Sequence, residues 1–316
     1  MAVTLAQAKL NTQDDLTAGI IDEFAKNSYI MRNIPFHDCV SPTGGGATLT
    51  YSYTRQITQP TAAFRKINAE YTPQEVEKQR YSTDLKVFGG SFAIDRVIAN
   101  MGGIVDEVTW QMQQKVKGAA ALFNDTVING DSAQDVDVFD GLDVALTGGS
   151  TEQTVNIDLS SSANVTSNYV AFLDALDDFL LGLDRTPNAL LMNGKALAKM
   201  KAVARRAGMY QTSKDDWGRQ VEMYGSIPMV DLGAKMGSND PVVSTDGSTG
   251  KTSIYAVSFG MDAFHAISMA GQPLVKTWMP DYSTEGAVKK GEVEMIAGVA
   301  LKTTKSCGVL RGVKIQ

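Results

Sequence analysis

Residues 104–131 read IVDEVTWQMQQKVKGAAALFNDTVINGD and carry the strongest helix pattern in the chain. Apolar side chains recur there at spacings of three and four, at Ile104, Val108, Met112, Val116, Ala119, Ala120, Phe123 and Val127. The opposite face is polar, and the sequence Asn129-Gly130-Asp131 is typical of a helix C-terminus. The pattern predicts a helix of about 24 residues, roughly 36 Å long, whose single apolar face packs against a sheet.

Two extended segments precede this helix. Residues 48–56 alternate apolar and polar side chains, which predicts a β-strand. Residues 81–95 form a second extended run, in which Gly89 and Gly90 break the alternation as a bulge or bend would. Residues 60–80 between them are mixed in charge and poor in core-forming side chains. Strands of about 13 residues would reach roughly 40 Å, and because a two-stranded ribbon is marginally stable alone, we expect another surface to support it.

The N-terminal part of the chain predicts a helix and an apolar arm. Residues 12–27 show apolar side chains at helical spacing behind a polar start, which indicates a short amphipathic helix. Residues 29–36, YIMRNIPF, are too apolar to remain a free tail. Either the arm's own domain or a neighbouring subunit covers them, and the sequence leaves both possibilities open.

From residue 139 to about residue 290 the chain predicts short mixed elements. Ser167 is expected to cap a helix that ends near Leu183. Asn193 and Gly194 are expected to lead into a second helix, which ends at Gly208. Further strands are predicted at 189–192, 225–230, 253–259 and 273–278, and through the β-rich end of the chain at 292–315. With no repeat of roughly 20–50 residues, these elements indicate an α+β chain.

Few residues offer chemistry. His37 and Cys39 share one face of an extended segment and could act as base and nucleophile, but no nearby group would orient the imidazole, so an ordinary connecting segment is favoured. The sequence Gly250-Lys251-Thr252 imitates a phosphate-binding loop, yet Thr245 stands where the first glycine belongs and a predicted strand follows. The sequence therefore predicts no catalytic, cofactor-binding or metal-binding residues and no cofactor.

Charge and composition limit the classes of partner. The net charge is −6, from 29 basic and 35 acidic residues, which argues against an affinity based on neutralising phosphates. Five basic residues lie on the predicted helix after Asn193; a solvated face is favoured over a nucleic-acid patch for Lys195, Lys199, Lys201, Arg205 and Arg206. Cys39 and Cys307 are expected to be free thiols in a reducing compartment. No long apolar run and no secretory pattern occur, so we expect a soluble cytosolic protein without a membrane partner.

Four short phrases, taken in order, resemble those of one protein family. They are Ile34-Pro35-Phe36 before the first extended strand, the pair of phrases 128–131 and 139–142 after the long helix, YGSIPMV at 224–230, and residues 308–315. The chain resembles, over nearly its whole length, a tailed-bacteriophage major capsid protein of the Hong Kong 97-type fold. The resemblance implies an N-terminal arm at 1–46, an extended loop at 47–96, a peripheral domain with a spine helix at 97–144, an axial domain at 145–290 and a closing strand at 291–316.

The resemblance also implies a function. Such a chain would be a structural protein of the virion, assembling with itself as hexamers and pentamers in the host cytoplasm into an icosahedral shell around a double-stranded DNA genome. A scaffolding protein and a portal would be further partners, and the DNA would be near the shell without specific binding. Because no segment precedes the arm, a separate scaffold or none is implied. Some relatives crosslink a lysine to an asparagine; Lys66 lies near the loop tip, but no partner asparagine or assisting glutamate can be matched.

Two other functions remain open from the sequence. An encapsulin-type nanocompartment shell has the same fold and loads cargo enzymes in a pocket that involves its N-terminal helix, for which residues 12–27 are available; gene neighbours would distinguish it from a phage protein. An α+β hydrolase or transferase without a recognisable motif is the alternative of another class. It would be a discrete monomer or dimer in light scattering.

Overall fold

The computed structural model describes residues 29–41, 48–101, 106–209, 211–214, 220–238 and 240–316. In chain order the elements are α1 (Tyr29–Asn33), β1 (Phe36–Val40), β2 (Thr50–Gln56), β3 (Lys78–Asp84), β4 (Lys86–Asp95), α2 (Arg96–Ala99), α3 (Glu107–Asn129), α4 (Leu142–Leu146), β5 (Glu152–Asp158), α5 (Ser162–Leu181), β6 (Ala189–Met192), α6 (Gly194–Ala207), β7 (Gln211–Lys214), β8 (Gln220–Tyr224), β9 (Ile227–Asp231), β10 (Lys251–Val257), β11 (Phe264–Met269), β12 (Val275–Trp278), β13 (Val288–Leu301), a 3₁₀ turn (Thr304–Ser306) and β14 (Gly308–Lys314). The helix predicted at 12–27 lies outside the described residues.

The described strands form three sheets. In the first, the order is β1-β11-β13-β12, and β4 also pairs with β13. In the second, the order is β5-β14-β10-β6-β9-β8-β7, and β2 and β3 form a separate two-stranded ribbon. The long strand β13 organises the first sheet, because β4 runs antiparallel to it from Val288 to Ala297 while β11 and β12 pair with its other edge. This α+β architecture agrees with the sequence prediction.

The long helix predicted from the opening stretch is confirmed as α3. Asp106 caps its N-terminus by accepting a hydrogen bond from the Thr109 amide at 3.1 Å, and the helix ends before Gly130, as the sequence indicated. Its C-terminal half is the more buried, and Phe123 and Val127 have no exposed surface. The ring of Phe123 lies 6.1 Å from that of Phe88 on β4, so the helix packs on the first sheet, as expected.

The bulge expected at Gly89 and Gly90 is absent. Strand β4 pairs with β13 in unbroken register through both glycines. At Gly89 a Cβ atom would lie 1.9 Å from the carbonyl oxygen of Val293, so the glycine allows a close approach of two strands. The run 81–95 breaks at Leu85, which is buried between β3 and β4. The ribbon strands therefore have seven residues each rather than about 13.

The apolar arm is covered by its own chain. Ile30 and Ile34 are buried in the main hydrophobic core, together with Phe123 of α3. The Ile30 amide also lies 3.4 Å from the side-chain oxygen of Asn124. Of the two possibilities that the sequence left open for 29–36, burial within its own domain is the correct one.

Two helices cover the second sheet. Helix α5 begins at Ser162 rather than after Ser167, because Ser161 accepts a hydrogen bond from the Asn164 amide and Val165 already belongs to the buried face. Helix α6 begins and ends as predicted, and Gly208 closes it in the left-handed conformation with φ 71°.

Asn193, which precedes α6, is almost fully buried and uses both ends of its side-chain amide. Its oxygen accepts a hydrogen bond from the Ala196 amide at 2.7 Å, which caps the helix. Its nitrogen donates to the Val243 carbonyl at 3.1 Å and to the hydroxyl oxygens of Thr245 and Thr252 at 3.0 Å. One side chain therefore joins the start of α6 to the neighbouring loop and to β10.

The last strand of the chain closes the second sheet. The extended structure predicted for the final residues is confirmed by strand β14, which lies between β10 and β5. Arg311 on this strand reaches Asp143 at 2.7 Å and also pairs with Glu152. The hydroxyl of Tyr255 donates to the same Asp143 carboxylate at 2.7 Å. The network joins α4 and β5 to β10 and β14, which follow more than 90 residues later in the chain.

Candidate interaction surface

The ribbon extends away from the rest of the molecule. Strands β2 and β3 pair from Thr50 with Asp84 to Gln56 with Lys78, and the Ile57 amide then donates to the Glu77 carbonyl at 3.0 Å. Every residue from 59 to 80 is exposed. This segment therefore contributes nothing to the core of its own chain.

The far end of the ribbon has a defined shape. The Ala69 amide donates to the Lys66 carbonyl at 3.1 Å, and Asn68 adopts a left-handed conformation with φ 67°. Arg65 donates to the Ala69 carbonyl at 3.1 Å, and its guanidinium lies 5.6 Å from the ring of Tyr71. We call residues 64–71 the apex. Its backbone turn and side-chain contacts are local, as expected of a preorganised surface loop.

The apex places large apolar side chains in water. Phe64 has a relative exposure of 107%, Ile67 of 92% and Tyr71 of 61%. Single exposed apolar residues are common on protein surfaces, but three within eight residues on a projecting segment indicate a surface that binds a partner. The charged residues beside them fit the polar rim of such a contact.

The base of the ribbon is fixed to the first sheet by hydrogen bonds. The hydroxyl of Tyr53 donates to the Leu301 carbonyl at 2.8 Å. Arg55 donates to the carbonyls of Leu301 at 2.7 Å and Lys302 at 2.9 Å, and its guanidinium lies 4.3 Å from the ring of Tyr81. No sequence motif indicated these contacts, because they join positions almost 250 residues apart.

A cavity of about 260 Å³ lies between the ribbon base and the body of the protein. The ribbon contributes one wall and the chain around α4 and the first sheet contributes the other, with a lining that includes Tyr53, Arg55, Tyr81, Asp140, Val144 and Leu301. Aromatic and aliphatic side chains with a few polar groups at the rim are typical of binding cavities. No pattern in the sequence indicated this cavity.

Two histidines are also brought together at the ribbon base. The rings of His37 and His265 lie 5.9 Å apart, and each is about 6 Å from the ring of Tyr51 on β2. His265 is fully buried, and among the described residues neither of its ring nitrogens makes a hydrogen bond within normal geometry. Burial lowers the pKa of His265 to about 4, with the charges of Lys302 and His37 acting in the same direction and the Ala263 backbone and Asp262 opposing them.

The candidate residues of the sequence reading have other roles. Cys39 is partly buried, and burial raises the pKa of its thiol, which does not favour a nucleophile. The ring of His37 instead packs against that of His265, tilted by 54°. The sequence at 250–252 follows a tight turn, where Gly250 has φ 69° and Thr245 pairs with Thr252, and a strand follows as predicted.

Most of the basic side chains on α6 contact the rest of the chain. Lys201 pairs with Glu222 at 2.8 Å. Lys199 donates to the Ser160 carbonyl, Lys195 to the Gln316 side chain and Arg206 to the Ser162 hydroxyl. This face is therefore largely occupied by intramolecular contacts rather than free to bind phosphates.

The described part of the chain contains no group of three or more His, Cys, Asp or Glu side chains arranged to hold a metal ion. Among its helices, none has both the length and the apolar character needed to cross a membrane.

Solved structures with a similar fold show which architecture this chain has. No family model matches the chain, and no curated protein matches it by sequence. The SrpI encapsulin of Synechococcus elongatus superposes over 99% of this chain and 97% of its own, with a TM-score of 0.68 and 15% identity. The capsid of a native GTA particle covers 99% of each chain, with a TM-score of 0.63 and 12% identity. The capsid of Myoviridae phage XM1 covers 98% of this chain and 99% of its own, with a TM-score of 0.60 and 11% identity.

The chain has the Hong Kong 97-type capsid fold. The match extends over nearly the full length of both chains, so the ribbon, the long helix and the two sheets all belong to this fold. The fold expected from the sequence resemblance is thereby confirmed, and the five segment boundaries remain a prediction.

Proposed function

We propose that this protein is a bacteriophage major capsid protein, which assembles with itself into a closed shell around a double-stranded DNA genome. The observation that carries the proposal is the segment 59–80, which is wholly exposed, carries apolar side chains at its apex and belongs to a capsid-type fold. An isolated subunit gains nothing from such a segment. A neighbouring copy would cover it and thereby stabilise an assembly.

Each of the five segments expected from the sequence would have its own role in the shell. The extended loop at 47–96 would make contacts between subunits. The arm at 1–46 would do so only outside Ile30 and Ile34, which are buried in the core of their own chain. The peripheral domain at 97–144 would build the rigid wall with α3 and with β13, the first part of the closing segment at 291–316. The last part of that segment, β14, pairs with β5 and β10 of the axial segment instead. The axial domain at 145–290 would meet its copies around the hexamer and pentamer axes. Strand β4 is the part of the loop segment that pairs with β13, so the projecting part is the ribbon.

The electrostatics suit a wall around DNA. The net charge of −6 gives no strong general attraction for phosphates. The basic side chains of α6 largely contact their own chain. We infer that DNA is enclosed without specific binding, and that a scaffolding protein and a portal direct assembly in the host cytoplasm. The role is structural rather than catalytic.

Electron microscopy tests the proposal directly. The chain is expressed alone and together with the proteins encoded beside it, and the product is examined by negative-stain microscopy and sedimentation. We expect closed shells or tubes of hexamers and pentamers. Compact monomers or dimers under every condition, with the scaffold included, would refute the proposal and favour the enzyme alternative.

An encapsulin-type shell is the second candidate. The structural match to the SrpI encapsulin over nearly the full length of both chains supports it. The same fold would then form a shell that encloses protein instead of DNA. The content of purified particles separates the two functions. A phage capsid is encoded near terminase and portal genes and its mature particles contain DNA, whereas an encapsulin encloses a cargo enzyme encoded beside it.

A further inference from the structure

We propose that the apex of one copy docks into the ribbon-base cavity of the next copy, with Phe64 as the side chain that enters. This inference rests on the proposed function, because it needs a second copy of the chain. It adds the receiving surface and the anchoring residue of the contact.

The apex cannot fill the cavity of its own chain. Residues 59–80 are exposed throughout, so none is buried against the body. The ten residues from Ile57 to Lys66 place the apex roughly 33 Å beyond the end of the paired strands if they are extended. The same molecule therefore carries an exposed aromatic side chain and a separate open cavity. Only another copy can bring them together.

The size and lining of the cavity suit an aromatic ring. A cavity of about 150 Å³ is large enough to hold benzene, and this one measures about 260 Å³. Tyr53, Tyr81, Val144 and Leu301 provide aromatic and aliphatic surface. Arg55 already donates to the carbonyls of Leu301 and Lys302, so two of its nitrogens have partners. A phenyl ring would contact these walls while the Arg55 guanidinium keeps its two carbonyl acceptors.

Apart from Arg55 in the cavity wall and Glu70 in the apex, the charged residues beside the cavity and those next to Phe64 have opposite signs. Beside the cavity, the segment 131–143 contains five aspartates and no basic residue. Asp135, Asp137 and Asp140 are exposed, and Asp140 lines the cavity itself. The apex carries Arg65 and Lys66 directly next to Phe64. Opposite charges around an apolar anchor fix its orientation and increase the rate of association.

The acidic segment is held in place by close backbone packing. The Gly141 amide donates to the Gly130 carbonyl at 2.8 Å, which closes the neck of the loop. A Cβ at Gly130 would lie 2.2 Å from the carbonyl oxygen of Phe139, so the neck requires glycine. Asp140 accepts a hydrogen bond from the Ser132 amide at 2.8 Å. The receiving surface is therefore largely formed before binding, which reduces the entropy lost on docking.

The contact is heterologous, because the apex and the cavity are different surfaces of the same chain. Repeating it head to tail generates a ring when the rotation closes and an open filament when it does not. In a closed ring of five or six copies, each apex occupies the cavity of the next copy and no cavity is left empty. This agrees with the oligomers expected of a capsid protein.

Cysteine crosslinking tests the contact. In a Cys39→Ser background, the double variant Phe64→Cys, Val144→Cys is assembled and treated with a bismaleimide spanning about 10 Å. We expect a covalent ladder longer than a dimer from the double variant, dimers only from a mixture of the two single variants, and no product from either alone. Ala145→Cys provides a second position at the same cavity if Val144→Cys does not fold. The matched control pairs Phe64→Cys with Leu181→Cys, which is exposed on α5, and should give no ladder.

The outcomes separate the inference from the function on which it rests. Normal particles in the microscope with no ladder above the control would overturn the docking proposal and leave the capsid function intact. Absence of both particles and ladder with the scaffold present would refute the capsid function and the docking proposal together. As an independent measurement, Phe64→Ser should raise the protein concentration needed for assembly at least about tenfold. An unchanged concentration would count against Phe64 as the anchor.

Discussion

Removing the apex should separate folding from assembly. We consider the replacement of residues 60–76 by a five-residue Gly/Ser linker, which leaves both strands of the ribbon intact. Because residues 59–80 are exposed throughout, the deletion removes no core contact. The loop between the two strands, 57–77, shortens from 21 residues to nine. This lowers its closure entropy cost by about 0.8 kcal/mol, from three-halves RT times the logarithm of the length ratio. The isolated subunit should therefore be as stable as the wild type or slightly more stable.

Assembly should fail in the same variant. Phe64, Ile67 and Tyr71 are exposed in the subunit. Burying each against a neighbour would contribute about 1.5–3 kcal/mol. The loss of all three therefore removes about 5 kcal/mol or more from each contact between subunits. At 1.4 kcal/mol per decade, this weakens each contact more than a thousandfold.

The assay combines thermal unfolding of the subunit with sedimentation and microscopy of the assembly reaction. We expect an unchanged or higher melting temperature together with the loss of particles. Normal particles from the variant would refute the assignment of the ribbon to the assembly contact. A strongly lowered melting temperature would refute the reasoning in another way, since it would show that the segment stabilises its own chain.

Two further variants isolate the apolar contribution. The first keeps the length of the ribbon and changes only Phe64, Ile67 and Tyr71 to Ser, and it should also fail to assemble. The matched control changes three apolar residues that are similarly exposed outside the apex, namely Val170, Leu181 and Val288. This control should assemble if the apex contact is specific, and its failure would point to a general effect of surface hydrophobicity.

The remaining predictions concern the body of the subunit. Asn193→Ala should lower the free energy of unfolding by about 2–4 kcal/mol, because it removes a helix cap and leaves the buried Val243 carbonyl without its donor; Ser161→Ala, at an exposed cap, should cost only about 1 kcal/mol in the same denaturant titration. His265 has a folded pKa of about 4, below its ordinary value of 6.5, so the unfolded chain binds more protons between these values. The free energy of unfolding is therefore unaffected by this histidine above pH 6.5 and falls as the pH is lowered towards 4, by about 2 kcal/mol at pH 5. In denaturant titrations at pH 7.5 and 5, the variant His265→Leu should lack this part of the decrease. Without reductant, Cys39 and Cys307 should both be alkylated in denaturant and Cys307 should be protected in the folded subunit, since it is fully buried with a pKa raised to about 11; mass spectrometry that finds a disulfide would contradict this.

The sequence predicted elements whose signal is local. Helix α3 was predictable because one apolar stripe continues for more than six turns, and α6 because Asn193 and Gly208 mark its two ends. The start of α5 was placed late, since Ser161 and Ser167 are both acceptable caps and only the burial of Val165 distinguishes them. Local capping chemistry alone could not choose between the two serines.

The features missed from the sequence depend on contacts between distant residues. An extended run with two glycines is typical of a bulge, and only the partner strand shows that Gly89 allows β4 to approach Val293. The exposed apex was predictable from its composition. The ribbon-base cavity was not, because Tyr53 and Leu301 become neighbours only through the fold.

The way in which the ribbon is attached has a consequence for its mechanics. The Leu85 amide donates to the Leu49 carbonyl at 2.8 Å, and the contacts of Tyr53 and Arg55 lie just beyond this pair. From there the two strands and the segment 57–66 extend for roughly 50 Å. The ribbon can therefore rotate as a unit about its short attachment to the body of the protein. A rotation of about 10° at the base moves the apex by roughly 9 Å over that length. A single sequence can thus span neighbours at different curvatures with only a small adjustment at the pivot.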